Sequence, residues 1–197
     1  LTALALWFGA ERVETDSADR AALALSPFVW AGFDVEGRDV TLKGMAPDPA
    51  AQEAARVSLR HVAGIRDVSD LTAVLPVASP YIFAVERDAE GLALSGFIPA
   101  NEARDRIVDA AQTIVADAVV DDKLALARGS SAEFIPIALF SLQLMQHFSA
   151  GKLEIADKAL SIRANVASPD DRRKIDALMA QPLPYGLTLA VSEITGP

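Results

Sequence analysis

Apolar and polar residues alternate along the chain in short segments, each of which runs into a proline-marked corner. The segment FDVEGRDVTLKG, residues 33–44, has apolar side chains at alternate positions on both sides of Glu36-Gly37-Arg38, which predicts an antiparallel hairpin. The corner VTLKGMAPDP follows, and Gly44 is expected to permit a close approach or an unusual backbone angle. Asp48 can cap the free amides of a helix that has Pro49 in its first position. The pattern predicts a hairpin followed directly by a helix.

This pattern occurs three times. Val40–Leu75 lies over Leu92–Ala127 without a gap, so that the strand residues, the glycine at Gly44 and the apolar helix stripe coincide. In a third copy, Ser168-Pro169 repeats the Asp48-Pro49 helix start, whereas the second copy has Asn101 as its expected cap. Each helix is expected to lead into a returning strand, which in the first copy covers Val68–Leu75.

Two of the copies are preceded by a further predicted helix. Glu11–Leu25 has a weak amphipathic pattern that ends at Pro27, and Ala132–Phe148 is apolar around most of its circumference. The second copy has no room for such a helix between Pro76 and its hairpin. We therefore predict an α+β fold of three units, with helices packed on small mixed sheets. The predicted boundaries are 11–78, 79–129 and 130–197.

The first copy resembles a known family, the BON domain of bacterial envelope proteins. The resemblance is carried by VTLKGMAPDPAAQEAARVSLRHVAGIRDVSDLTAVLP, in which Ile65 and Asp70 replace the valine and asparagine usual in the closing pattern. The third copy departs further, because Ala164 and Ala167 stand where the first has Gly44 and Pro47. The tandem arrangement is similar to the N-terminal periplasmic part of alphaproteobacterial OmpA-family proteins.

The resemblance implies a non-enzymatic binding module of the cell envelope. BON domains bring no catalytic residues and no cofactor, and phospholipid contact has been proposed for several of them. In OmpA-family proteins an inner-membrane anchor precedes the repeats and a peptidoglycan-binding domain follows them; no such domain lies within these 197 residues. Peptidoglycan contact would therefore require a further C-terminal domain.

The first ten residues, LTALALWFGA, allow two interpretations. The apolar run with Trp7 near its end is typical of the end of a transmembrane helix, with an aromatic residue at headgroup level. It is equally typical of the first turns of a core helix. The resemblance favours the former, so residues 1–10 are expected to be the end of an inner-membrane anchor and the remainder to be periplasmic.

Composition narrows the classes of partner. The 27 acidic and 18 basic side chains give a formal net charge of −9, which disfavours nucleic acid as a partner. Cysteine is absent, which excludes disulfides and thiolate catalysis.

Few residues are candidates for chemistry. His61 and His147 lie outside any metal-ligand spacing, and the pairs Asp121-Asp122 and Asp170-Asp171 lack the arrangement of a catalytic carboxylate pair. No nucleophile motif or phosphate-binding glycine loop occurs. We therefore predict no catalytic, cofactor-binding or metal site.

Two segments are candidates for lipid or partner contact. The basic run Arg172-Arg173-Lys174 could meet lipid phosphate or a partner carboxylate, or be a solvated helix face. The helix that begins near Phe134 must cover its apolar surface, either by burial between repeats or against a partner or membrane. The predicted contact residues are Trp7, Phe134, Phe140, Phe148, Arg172, Arg173 and Lys174.

Three functions fit this sequence. The first is an envelope scaffold that holds or spaces partner proteins in the periplasm. The second is a phospholipid-binding module, and the third is an accessory subunit packed against a larger membrane complex.

Overall fold

The fold is described from a computed structural model that covers residues 2–115 and 119–196, with only the helical backbone for residues 2–13. The chain divides into two compact units, the first ending at Leu75 and the second beginning at Pro76. Each unit is an assembly of helices on a mixed sheet, which confirms the predicted α+β class.

The first unit contains one hairpin, two helices and a short returning segment. Its elements are α1 (Thr2–Leu25), β1 (Ala31–Glu36), β2 (Asp39–Ala46), α2 (Pro49–Arg60), β3 (Asp67–Asp70) and β4 (Ala73–Val74). The sheet order is β1-β2-β3, with β1 antiparallel to β2 and β3 parallel to it, and β4 continues the parallel pairing with β2. The returning strand that the sequence predicts is therefore present as two short pieces.

The corner between β2 and α2 is built as the sequence predicts. Gly44 has a φ of +121°, and a Cβ added there would lie 2.3 Å from the carbonyl oxygen of Trp30. The side chain of Asp48 accepts a hydrogen bond from the Ala51 amide at 2.8 Å, and Pro49 is the first helical residue. Helix α2 consequently starts directly after the strand and packs its buried Leu59 on the hairpin.

The second unit contains the other two repeats. Its elements are β5 (Ile82–Arg87), β6 (Gly91–Ile98), α3 (Asn101–Val115), β7 (Val119–Leu126), α4 (Phe134–Met145), β8 (Phe148–Ala156), β9 (Ala159–Val166), α5 (Pro169–Met179) and β10 (Thr188–Thr195). They form one six-stranded sheet in the order β10-β9-β8-β5-β6-β7. The prediction gave each repeat its own sheet, whereas the second and third repeats share this one.

The shared sheet is joined by its two central strands, β5 and β8. These strands are antiparallel, with Val85 opposite Leu153 at the middle of the pairing. Outward from this central pair, the pairings follow the same order in both directions. A hairpin, β5-β6 or β8-β9, comes first, and a strand parallel to its second member, β7 or β10, returns after a helix. The two repeats are thus related by an approximate twofold axis that passes between Val85 and Leu153.

Helix α4 precedes the third hairpin in sequence, but it packs on α3 and β5 of the second repeat as well as on β8. In the first unit, α1 packs on α2 and β1 in the same way. Helix α4 therefore takes the place of the leading helix that the second repeat lacks. Among the residues described, α4 is the single helix between β7 and β8, so the third repeat has no leading helix besides it.

Several predicted boundaries differ from the structure. Helix α1 extends back to Thr2, Phe148 begins strand β8 instead of ending a helix, and Asn101 is the first residue of α3 instead of its cap. None of the helices in the described residues has the length and apolar character needed to cross a bilayer. The side chain of Trp7 lies outside the described residues, and the membrane-anchor interpretation of residues 1–10 stays a prediction.

Candidate functional site

The predicted contact phenylalanines, which lie on α4 and at the start of β8, do not share one environment. Phe134 is 6% exposed and Phe148 is fully buried, and both belong to the core of the second unit. The ring of Phe134 makes edge-to-face contacts with Tyr81 and Phe83, with ring centroids 5.3 and 5.8 Å apart. These two phenylalanines fill the space beneath the sheet, where neither presents a surface to a lipid or partner.

Of the three phenylalanines among the predicted contact residues, Phe140 is the one that reaches a surface. It is half-buried and lines a groove of about 390 Å³, named here the α4–α5 groove. The other lining residues are Ala177, Leu178, Gln181, Pro182 and Pro184. The groove is open and mostly apolar, because five of its six lining residues have hydrocarbon side chains.

The basic run lies on the same helix as one wall of the α4–α5 groove. Arg173 and Lys174 precede Ala177 and Leu178 by four residues, which places them one helical turn along the same face. The structure therefore puts Phe140 in the wall of the groove and two of the three predicted basic residues one helical turn from its α5 wall.

Each basic side chain of this run has an acidic partner on α5. Arg172 lies 3.1 Å from Asp176 and also donates to the carbonyl of Ile194. Arg173 pairs with Asp170, and the ammonium group of Lys174 lies 3.7 Å from the carboxylate of Asp171. The three acids and three bases cancel, so α5 has little net charge to attract an anionic surface.

A smaller cavity of about 190 Å³ lies beside the start of α4. Its floor is aromatic, from Tyr81, Phe83 and Phe134, and its rim includes Asp157 and Lys158. The Tyr81 hydroxyl donates to the carbonyl of Ala127 at 3.2 Å, and burial raises the pKa of this phenol despite the opposing effect of a hydrogen bond with Ser130. The tyrosine is accordingly a neutral core residue.

Asp157 has a structural explanation. It sits in the β8–β9 turn with a φ of +55°, where the first hairpin has Gly37 with a φ of +63°. Its side chain accepts from the Tyr81 amide and its own amide donates to the Tyr81 carbonyl, both at 2.9 Å. These bonds tie the third hairpin to the start of β5 and offset the cost of a left-handed non-glycine residue.

The one histidine–carboxylate contact in the described residues was not foreseen in the sequence. His147, after the end of α4, contacts Asp171 through Nδ1 at 2.8 Å, and Asp171 also accepts from the Ser168 hydroxyl at 2.6 Å. The carboxylate stands between the other two groups, so the serine is not activated by the histidine as in a catalytic triad. The helix-start pattern at Ser168 is visible in the sequence. The contact between His147 and Asp171 is not, because the two residues are 24 positions apart and no local pattern links them.

This network predicts a specific dependence of stability on pH. The Ser168 hydrogen bond, and then that of His147, lowers the pKa of Asp171. A carboxyl whose folded pKa lies below its unfolded value, about 3.9, stabilises the fold above that value and loses the contribution as the pH falls through the folded pKa. The difference in urea midpoint between wild type and Asp171→Asn should therefore be largest above about pH 5 and vanish in stronger acid.

A second variant separates the causes. Ser168→Ala removes the larger of the two effects on Asp171, so the acid transition should move upward toward pH 3.9, about the unfolded value. An acid profile identical in wild type and both variants would contradict this account of the network.

The remaining candidate residues hold structural positions. Asp122 pairs with Arg104 at 2.6 Å, and Arg104 also donates to the carbonyl of Leu124, which fixes α3 to β7. His61 contacts the Val57 carbonyl within α2. Among the residues described, no group of three His, Asp or Glu side chains is arranged to hold a metal ion.

Comparisons with known proteins find one family. Residues 31–76 match the model of the BON domain, a stretch that runs from β1 to just past β4. No curated protein matches the chain.

Two solved structures are remotely similar. One is the C-terminal domain of CdsD, a structural protein of the type III secretion system of Chlamydia trachomatis; it is 11% identical, with 89% of this chain and 94% of that chain covered and a TM-score of 0.31. Another structure of CdsD is 12% identical, with 92% and 93% covered and a TM-score of 0.32.

Proposed function

We propose that this chain is a non-enzymatic scaffold of the bacterial cell envelope that holds or spaces protein partners in the periplasm. BON domains are associated with membrane and periplasmic binding modules, and residues 31–76 match that family. The finer assignments belong to the same proposal: the periplasmic part of an OmpA-family protein, tethered to the inner membrane through the segment ahead of Glu11.

One observation carries the scaffold function. A single structural unit is used three times, and two copies are fused edge to edge into one continuous sheet. Such a unit associates with its neighbours through backbone ladders and apolar surfaces, which is how a scaffold is extended or joined to partners. The charged side chains described above are used in ion pairs and helix caps, which supports a structural role.

A second candidate function is phospholipid binding through the α4–α5 groove. Phe140 and Leu178 could accept an acyl chain while Arg173 and Lys174 meet the headgroup phosphate. The acidic partners of these bases weaken that case, because each lipid contact would first have to displace an ion pair within α5.

Co-sedimentation with vesicles separates the two functions. With vesicles of phosphatidylcholine alone, and with added phosphatidylglycerol, we expect the chain to remain in the supernatant at low and at physiological salt. Sedimentation that depends on phosphatidylglycerol and is lost in Phe140→Ser or in Arg173→Glu with Lys174→Glu would replace the scaffold function by the lipid-binding one. As the matched control, Lys152→Glu alters a basic residue on a strand and leaves the groove intact.

The third possibility, an accessory subunit of a membrane complex, differs from a scaffold in the stability of its association. Recovery of the full chain from membranes in mild detergent is expected to yield partners in variable amounts. A fixed stoichiometric set of membrane subunits would favour the accessory role.

A further inference from the structure

The outer edge of strand β1 has no strand partner among the residues described. The sheet order is β1-β2-β3, so β1 is terminal. The two-residue turn closes on the pair Glu36 and Asp39, so in this antiparallel ladder the backbone groups of Asp34 and Glu36 bond to β2. Those of Phe33 and Val35 then point outward, and these two residues are the free donors and acceptors of the edge.

The two other repeats use the corresponding edge to pair with each other. The hairpin registers place Phe33 opposite Leu42, Val85 opposite Leu94, and Leu153 opposite Ile162, so Val85 and Leu153 both correspond to Phe33. Val85 and Leu153 are the residues that face each other at the centre of the β5–β8 ladder. Within this chain, therefore, the edge that β1 leaves free is one that adds an antiparallel strand.

The position of the leading helix decides which occupant fits. Helix α4 lies over both β5 and β8, and α1 packs on β1 and α2 as α4 packs on β5 and α3. A second copy of this chain, paired through β1 with the same geometry, would bring a second α1 into space that the first already fills. The fitting occupant is instead a strand that brings no second helix to this face, since one helix, α4, serves both β5 and β8 in the second unit.

The same ladder indicates the chemistry of that strand. On the open face of the sheet, Glu86 is opposite Lys152, and Glu86 corresponds to Asp34. On the helix-covered face, Leu153 is opposite the position that corresponds to Phe33. Phe33 and Val35 are only half-buried, so an apolar residue beside them would remove further apolar surface from water.

We propose that β1 binds an antiparallel strand of a partner protein, with an apolar residue opposite Phe33 and a basic residue opposite Asp34. The proposal rests on the scaffold function and names the surface and the kind of partner. The partner strand extends the first sheet, and its backbone bonds to Phe33 and Val35.

The test uses the full chain, labelled with ¹⁵N, and a synthetic peptide with the β8 sequence FSAGKLEIA as the probe. At saturating peptide, the amide signals of Phe33 and Val35 should shift and their hydrogen exchange should slow by about tenfold or more, because edge amides become paired. Exchange at Asp34 and Glu36, already bonded to β2, should change much less. Shifts confined to β5 and β8, or no shift in β1, would overturn the proposal.

Backbone and charge variants sharpen the result. Val35→Pro removes an outward donor without breaking a bond to β2 and should weaken peptide binding by about tenfold relative to the matched Val35→Ala, which keeps the donor. A peptide with glutamate in place of Lys152 should bind about threefold more weakly to wild type and regain affinity for Asp34→Lys. Equal affinities for the two Val35 variants would overturn the backbone pairing.

Three outcomes distinguish this proposal from a second copy as the occupant and from the scaffold function on which it rests. Amide protection at Phe33 that rises with chain concentration in the absence of peptide, together with dimers in sedimentation velocity, would make a second copy the occupant and overturn the partner strand. Lipid-dependent sedimentation with intact peptide binding at β1 would contradict the scaffold function alone. If the peptide gives the β1 amides no protection from exchange and the chain does not bind lipid, the strand proposal alone is contradicted.

Discussion

Replacing Gly44 with alanine is expected to destabilise the first unit by about 3 kcal/mol. The residue has a φ of +121°, which costs an L-residue about 1–2 kcal/mol. The new Cβ would also meet the carbonyl oxygen of Trp30 at 2.3 Å, so the two strands must separate where the hairpin is held together, at a further cost of about 1–3 kcal/mol. Tryptophan fluorescence during urea unfolding measures this loss in the correct unit, because both tryptophans, Trp7 and Trp30, precede Leu75.

Gly37 provides the matched control in the same hairpin. It has a φ of +63°, and a Cβ added there would meet nothing within 4 Å. Gly37→Ala should therefore cost only the backbone strain, about 1 kcal/mol, and Gly37→Asn less, because asparagine tolerates this region. If Gly44→Ala and Gly37→Ala lower the free energy of unfolding equally, the close approach of Gly44 to Trp30 adds nothing to the cost of the Gly44 substitution.

The corners of the fold could be predicted because their signals are local. Asp48-Pro49 and Ser168-Pro169 each place a capping side chain beside a residue preorganised for the first helical turn, and both caps are present. The alternation around Glu36-Gly37-Arg38 likewise specified a hairpin, because a tight turn and a period of two leave few other structures for so short a segment.

The pairing between repeats could not be predicted in this way. Strands β1 and β8 both alternate apolar and polar residues, yet β8 pairs with β5 while β1 stays at an edge. The choice depends on where α4 lies, and α4 packs on the repeat that precedes it in sequence. Sequence periodicity records which face of an element is buried, but not which neighbour covers it.

The third repeat compensates for the glycine that it lacks at the position of Gly44. Ala164 stands where the first repeat has Gly44, but the residue opposite it is Gly151, where the first repeat has Ala31. A Cβ on Gly151 would lie 2.3 Å from the Cα of Ala164. The close approach between the strands is kept, and the glycine that permits it has moved across the ladder.

Replacing Phe148 with alanine is expected to destabilise the second unit by about 3–5 kcal/mol, the range for an aromatic side chain removed from a closed core. Phe148 is fully buried at the start of β8, within the cluster that also contains Phe134. Phe140→Ala, in contrast, removes a half-buried ring from the wall of an open groove and should cost about 1 kcal/mol. Amide hydrogen exchange in α4 and β8 measures both losses within the second unit.

The pair of variants decides what the apolar segment from Phe134 to Phe148 is for. A helix that is apolar around most of its circumference can be a core element or a docking element, and the sequence pattern is the same for both. If the apolar residues of this segment serve the core, Phe148→Ala lowers the free energy of unfolding much more than Phe140→Ala does. In that case neither variant changes the fraction of protein that sediments with vesicles. If Phe148→Ala leaves exchange in β8 unchanged but alters vesicle or partner binding, the burial of Phe148 beneath the six-stranded sheet is wrong, and α4 is a docking helix.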